Sequence, residues 1–211
     1  MNRHRMAWIV PAILFFAACS SEPQKPAGGA HPAAKPAAKP TETLTGREAF
    51  QKLYPPARGW NADAKPIRFE TQLTTDASGQ DGKAAIWRVG FASPNRRVME
   101  AFIWSGSTAS DLDRGVSHGT EDGFSPTNAS TQPFDLNFLK IDSDAAFQTA
   151  QKHGGDKILK KDPKTPILYL LDWDMRKNQL VWHVIYGENR NDAKLVVDSD
   201  ATTGEFLRVE K

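Results

Sequence analysis

One pattern occurs twice in this chain and constrains its fold more than any other feature: a short amphipathic helix followed by several strand-like runs, first across 44–105 and again across 142–211. In the first copy Thr45 and Glu48 form a capping-box pair ahead of Ala49, Phe50, Leu53 and Tyr54, which share one helical face, and Pro55-Pro56 is expected to end the helix. In the second, Asp142 or Ser143 caps a helix carrying Ala146, Phe147 and Ala150, with Lys152 and His153 in its last turn and Gly154-Gly155 as its stop. Runs rich in β-branched and aromatic residues follow each helix: 66–73, 84–92 and 97–105, then 166–173, 179–187, 194–199 and 205–209. Landmarks recur at nearly constant spacing. Phe50 to Phe147 is 97 residues, while Trp87 to Trp182 and Phe102 to Val197 are each 95, and Trp87-Arg88-Val89 mirrors Trp182-His183-Val184. Identity between the copies is low, so two unrelated units of the same class would give a similar pattern.

The short connections 175–178 and 201–204 favour antiparallel hairpins. The expected fold class is therefore α+β, in two tandem units, each one helix packed on an antiparallel β-sheet. Units of ~70–80 residues have marginal cores alone, so packing against each other would help both. Between them, 106–141 reads as a linker or functional loop rich in Ser, Thr, Asp and Gly. Its later apolar residues, from Phe124 and Phe134 to Ile141, are expected to pack on the body.

Residues 1–18 stand apart. Arg3, His4 and Arg5 precede an apolar stretch over 6–18, too short for the ~20 residues of a membrane-spanning helix, and this reads as a signal peptide. It ends in Phe16-Ala17-Ala18-Cys19, which resembles a bacterial lipobox although Phe16 replaces the usual Leu. The resemblance implies that Cys19 receives a diacylglycerol, carries further acyl chains such as palmitate, and becomes the mature N-terminus; an ordinary cleaved signal with an incidental cysteine is the alternative. Ser20 in place of Asp implies, on the same resemblance, the outer membrane facing the periplasm. Residues 20–43 hold five prolines and the repeated Ala-Ala-Lys-Pro at 33–36 and 37–40, so 19–43 is expected to be a lipidated cysteine and a disordered tether. At ~3.1 Å per residue it reaches roughly 70 Å when extended. Its lysines are either solvated spacer charges or contacts to anionic lipid or peptidoglycan.

The 27 basic and 25 acidic side chains give a net +2, but 1–43 contain five basic and two acidic groups, leaving the body at −1. No footprint for nucleic acid survives that count. With Cys19 as its one cysteine, the chain has neither an internal disulfide nor a multi-thiolate metal site.

The second unit resembles a PepSY-type domain. The residues responsible are the helix with Ala146-Phe147 and Gly154-Gly155, the strand from Val181-Trp182-His183 to Tyr186, and the closing Val196-Val197-Asp198-Ser199 with Thr203-Gly204-Glu205. The likeness covers about 142–210 well. It is weaker over 45–105, where Phe102-Ile103-Trp104-Ser105-Gly106 replaces the Thr-Gly-Glu turn. It implies a non-catalytic module of secreted-protease propeptides and envelope proteins that binds or restrains a protease or regulates periplasmic proteins.

The residues themselves give little sign of catalysis. Asp198, Asp200, Thr202, Gly204 and Glu205 superficially resemble a calcium loop, but glycine and the bidentate Glu are out of register, and a hairpin turn with Gly204 at positive φ is the better reading. His118 lies near Asp111, Asp113, Glu121 and Asp122, which is either a solvated acidic loop or a set of cation ligands of no known spacing. His153 reads as a helix C-terminal residue and His183 as a strand residue beside Trp182. Asp172 and Asp174 flank Trp173 and share a strand face, where they are either a solvated hairpin end or an acid–base pair. No nucleophile elbow or phosphate loop occurs. Trp87 and Trp182 read as core anchors, whereas Trp104 and Trp173, near strand ends, are the candidates for an exposed contact.

The expectation is thus a non-enzymatic envelope lipoprotein with no cofactor and no metal. It is held at the membrane through Cys19 and binds a periplasmic protein or peptide by sheet surface, sheet edge or the intervening loop. The alternative is a small-ligand or cell-wall-binding module using the cleft between the two units.

Overall fold

The computed structural model describes residues 39–210; the signal peptide, Cys19 and the tether as far as residue 38 lie outside the described residues. In chain order the elements are β1 (Leu44–Thr45), α1 (Gly46–Trp60), β2 (Lys65–Thr71), β3 (Lys83–Ala84), β4 (Ile86–Ser93), β5 (Val98–Ser105), β6 (Gly115–His118), β7 (Asp122–Gly123), α2 (Ser143–Ala150), α3 (Asp156–Lys161), β8 (Ile167–Asp174), β9 (Gln179–Tyr186), β10 (Leu195–Asp200) and β11 (Phe206–Val209). The molecule is α+β. One large antiparallel sheet has the order β11-β10-β9-β8-β2-β4-β5-β6, with β7 also paired to β5, and β1 pairs with β3 in a separate two-stranded ladder. Read outward from the central β2–β8 pair, the order is three-strand runs from each half of the chain followed by a short edge strand.

The two sets of strands are therefore not two packed sheets. Arg68, Phe69 and Glu70 of β2 pair with Asp172, Leu171 and Leu170 of β8, so the halves join edge to edge. No cleft separates them at that seam, because a ladder occupies it.

Strand alternation sends one side-chain set toward the helices. Ala49, Phe50, Leu53 and Ala57 of α1 and Ala146, Phe147 and Ala150 of α2 are buried against Phe69, Trp87, Phe91, Tyr169, Leu171 and Trp182 in one continuous core. Phe69 and Trp87 lie 4.6 Å apart by ring centroid, and Trp87 meets Trp182 edge-on at 6.4 Å. Each of these two indoles also donates to the backbone just before a helix, Trp87 to Leu44 O at 2.9 Å and Trp182 to Ile141 O at 3.0 Å.

Helix starts follow the expected capping, but the stops do not. Thr45 and Glu48 form the capping box. Asp142 caps α2, and its Oδ1 accepts from both Ser143 N (2.7 Å) and Arg47 N (2.8 Å), so one carboxylate serves two helices. Pro55-Pro56 does not end α1, which continues to Trp60. The carbonyls that the two prolines leave unbonded belong to the exposed Gln51 and Lys52, where water can satisfy them, and the continued turn buries Ala57. Gly154-Gly155 likewise kinks the second helix rather than ending it. Gly154 takes φ 117°, and α3 then resumes with Ile158 and Leu159 partly packed on the core. Gly155 is required by packing, since a Cβ there would lie 2.1 Å from the Tyr186 hydroxyl.

Segment 106–141 is not a free linker: β6 and β7 extend the sheet from β5, and Phe124 and Phe134 are buried. The last tether residues are also fixed to the body. Thr41 Oγ1 donates to Asp76 (2.5 Å), and Glu42 N donates to Gly106 O (3.0 Å), where a side chain on residue 106 would collide with that backbone. The 201–204 turn is as expected, with Asp200 Oδ1 accepting from Thr202 N and Thr203 N and Gly204 at φ 80°. Among the described residues no helix is long and apolar enough to cross a membrane.

Candidate functional site

The sheet face opposite the helices carries a row of paired charges. Cross-strand register places Ile103, Arg88, Glu70, Leu170, His183, Asp198 and Arg208 side by side on successive strands from β5 to β11. Arg68 and Asp172 stand opposite each other in the neighbouring row. The strands impose this: Phe69, Trp87, Leu171, Trp182 and Val197 point to the core, so the residues between them point away.

Toward β11 the row is buried. His183 is 4% exposed and Asp198 is fully buried. Nδ1 of His183 lies 2.6 Å from Asp198 Oδ1, and Nε2 lies 3.2 Å from Asp172 Oδ1. Burial works against charge on this ring, but the hydrogen bonds to Asp172 and Asp198 outweigh it and raise its pKa. For Asp172, burial is likewise outweighed by the His183 contact, and its pKa is lowered. Arg208 Nη2 sits 2.6 Å from Asp198 Oδ2 as an ion pair without hydrogen-bond alignment. Arg190 and Arg208 together hold Glu210, whose carboxyl is brought down to about 2 despite partial burial.

Donor atoms of His183, Asp198 and Glu210 lie within 4.8 Å of one another, so these three could gather round a cation. Arg208 already pairs with Asp198 and Glu210, and Arg190 with Glu210 and, at 3.2 Å, His183 Nδ1. A metal would have to displace two guanidinium groups, and the donor set fits an internal ion-pair network better.

Toward β5 the same face opens into a groove of about 710 Å³. Its floor is Ile67, Gly90, Met99, Ala101 and Ile103, Arg68 and Arg88 stand on one wall, and Glu100, Thr131 and the arch 119–122, which carries Glu121 and Asp122, complete the lining, so both signs of charge face the groove. A register shift in β2 between Pro66 and Arg68 lets both Ile67 and Arg68 reach the groove. The arch exists because β5 pairs with β6 at 102–105 and with β7 at 98–99, leaving the intervening chain to bow outward. Phe124 is buried in a small apolar cluster with Ile67, Ala92 and Met99, and supports the two of these that line the groove, Ile67 and Met99.

The sequence candidates are dispersed relative to this face. Trp104 is 3% exposed and belongs to the core with Phe102, so it is not the exposed strand-end residue expected. Its position on β5 has the core parity, and β6 covers the edge beyond it. Trp173 is half-buried edge-on against Phe138, at 5.1 Å between ring centroids. Asp172 and Asp174 do share the open face, Asp172 on His183 and Asp174 3.8 Å from Arg208. His118 leaves the acidic loop residues and meets Glu100 at 2.5 Å, while Glu121 binds Arg96 and the Trp60 indole. His153 stacks on Phe206 at 3.7 Å. Sequence reasoning missed Arg68, Glu70 and Arg88; the available signal was their alternation with Phe69, Trp87 and Val89.

No protein-family model, no curated protein and no solved structure matches this chain.

Proposed function

We propose that this chain is a non-catalytic, lipid-anchored lipoprotein of the bacterial envelope that binds an extended segment of a periplasmic protein in the open-face groove. The observation that carries the reading is the groove itself: an apolar floor with Arg68 and Arg88 on one wall and Glu121 and Asp122 on the opposite rim, which together suit a polypeptide with apolar and charged side chains. The lipobox-like ending at Cys19 supports membrane attachment, and Ser20 supports the outer membrane. The paired Trp87 and Trp182 anchors and the mirrored strand runs support descent from two PepSY-like units, for which restraint of a protease is the sharper form of the binding role. Non-catalytic character is supported by the His183 cluster, whose acids and bases are committed to one another.

A photo-cross-linking residue at Ile103, in cells carrying the intact chain, tests this. The expected result is a discrete protein adduct from Ile103, none from Lys157 on α3, and loss of the adduct when Ala101→Trp fills the floor. Palmitate labelling that vanishes in Cys19→Ala tests the anchor separately. Adducts of equal pattern from both positions would overturn the groove as the binding surface.

A second reading is favoured by the groove volume, which falls within the ~300–1,000 Å³ of small-ligand sites. It is a small-ligand or cell-wall-fragment module whose site lies within the first strand set rather than between the units. Muropeptides that shift tryptophan fluorescence while Ile103 yields no protein adduct would decide for it.

A further inference from the structure

We propose that the tip of the β8–β9 hairpin, with Phe138 beside it, docks the body onto an anionic lipid surface; this rests on the chain being held at a membrane through Cys19. Met175 in the turn is 50% exposed and Phe138 39% exposed, and Trp173, two residues before Met175, meets Phe138 edge-on at 5.1 Å. Four exposed cations surround this apolar group. Arg176 and Lys177 follow Met175, Lys140 lies two residues past Phe138, and Arg47 Nη2 donates to the Lys140 carbonyl at 2.5 Å. Among the described residues none of these four cations has a carboxylate partner. The acids of the same turns are Asp135, Asp174 and Asp200, with Asp142 beside Arg47. Each is held against main-chain N–H groups: Asn137 for Asp135, Arg176 and Lys177 for Asp174, Thr202 and Thr203 for Asp200, Ser143 and Arg47 for Asp142. Short acids bound to their own turns and long cations reaching outward give this end of the molecule a basic outer layer around apolar side chains.

That chemistry matches the headgroup zone of a bilayer, where aromatic side chains settle and anionic lipids attract Lys and Arg. The tip is too small for a stable protein interface, which takes roughly 20–30 residues a side. A weak lipid contact suffices for a body already attached, because the second contact is then intramolecular. Reach fits as well. Antiparallel pairing puts Ser105 and Ile167 at one end of the sheet and Val98 and Asp174 at the other. The chain enters the body at the first end, where Glu42 N donates to Gly106 O and Arg114 to the carbonyls of Lys39 and Pro40. From there to the tip is the length of the strand Ile167–Asp174, about 26 Å at ~3.3 Å per residue. About twenty residues separate Cys19 from Lys39, enough for roughly 25 Å as a flexible coil and about 60 Å fully extended. The anchor can therefore stay in the bilayer while the far end of the sheet touches it.

Full-length protein, purified with its acyl anchor and reconstituted into vesicles, tests the proposal with an environment-sensitive fluorophore on Met175→Cys and, as control, on Lys157→Cys of α3. In phosphatidylcholine vesicles containing phosphatidylglycerol, the label at 175 is expected to shift to shorter wavelength. Nitroxide-bearing lipid should quench it at least about threefold more strongly than the label at 157. Both effects should weaken as salt rises and fall away in phosphatidylcholine alone. Arg176→Glu/Lys177→Glu in the labelled chain should abolish them. Its melting temperature should stay close to wild type, because exposed charges add little stability. Phe138→Ala should keep the dependence on phosphatidylglycerol with a smaller wavelength shift. Equal signals with and without phosphatidylglycerol overturn the anionic surface as what the tip meets. No shift at 175, or the same shift at 157, overturns docking through the tip. A shift that follows protein density rather than lipid composition puts a second copy there and overturns the lipid, as does a discrete protein adduct from a photo-cross-linker at Met175 in place of the lipid signals. In each of these cases palmitate labelling of Cys19 persists; its absence, with a protein that does not stay with the vesicles, overturns the reading beneath.

Discussion

Each ring nitrogen of His183 faces an aspartate, Nδ1 Asp198 and Nε2 Asp172, which favours a ring protonated on both nitrogens, while the Arg190 guanidinium 3.2 Å from Nδ1 works against it. The groups facing the ring are Asp172 from β8, Asp198 from β10, Arg190 from the loop after β9, and Arg208 and Glu210 from β11 and the residue beyond it. A folded-state pKa raised above the ordinary 6.5 means that the cluster stabilises the fold fully below that value. This stability is lost as pH rises through the raised value. His118, raised by its Glu100 partner, adds in the same direction. Asp172 and Glu210 act oppositely: both are lowered, so their contribution is present above their ordinary values and is lost as pH falls. The melting temperature should therefore peak in mildly acidic solution and decline on both sides, and His183→Gln should be less stable and flatten the alkaline decline. A wild-type profile that stays level from pH 6 to 9 would contradict the doubly protonated ring. Gly155→Ala is a second residue-level test. The methyl group would press on the Tyr186 hydroxyl, and a loss of roughly 1–3 kcal/mol in chemical denaturation is expected.

The elements show where local chemistry was decisive and where it was overridden. Strands were readable because β-branched and aromatic runs alternate with polar residues, and the Thr45–Glu48 box fixed the start of α1. Helix ends were misread because Pro55-Pro56 and Gly154-Gly155 are local breakers, whereas the decision lay with distant partners: buried Ala57 in one case, Tyr186 and the core contacts of Ile158 and Leu159 in the other. The groove was unreadable for a related reason. Gly90, Arg68 and the 119–122 arch come together only after β2, β4, β5 and β7 have paired. Capping supplies the element-level prediction. Thr45→Ala removes one cap and should cost about 1 kcal/mol. Asp142→Ala removes the acceptor for Ser143 N at the start of α2 and for Arg47 N in the first turn of α1, and should cost roughly twice as much, about 2 kcal/mol by the same reckoning. Equal losses in urea denaturation would show that Arg47 N finds another partner.

For the molecule as a whole, the question is whether the halves read in the sequence are independent. The alternation of β-branched and aromatic residues placed the main strands on each side, but it could not give the β2–β8 seam, since pairing between strands about a hundred residues apart leaves no local pattern. At that seam Thr71 Oγ1 accepts from Tyr169 N at 2.9 Å, and Phe69 touches Trp87 on one side and Trp182 on the other, at 4.6 and 6.1 Å. Asp142 adds a second crossing by capping α1 from the other half. Each half alone would expose one face of this aromatic cluster and one unpaired strand edge, so neither should fold by itself. Unfolding should then be a single cooperative step. Phe69→Ala offers the direct test: the ring is fully buried, and its loss is expected to cost about 3–5 kcal/mol, a large part of the ~5–15 kcal/mol that holds a domain together. Because Phe69 supports both tryptophans, the variant should shift the tryptophan fluorescence and far-ultraviolet dichroism transitions together. Two separated transitions, with the shift confined to one, would mean that the seam joins two domains rather than making one core.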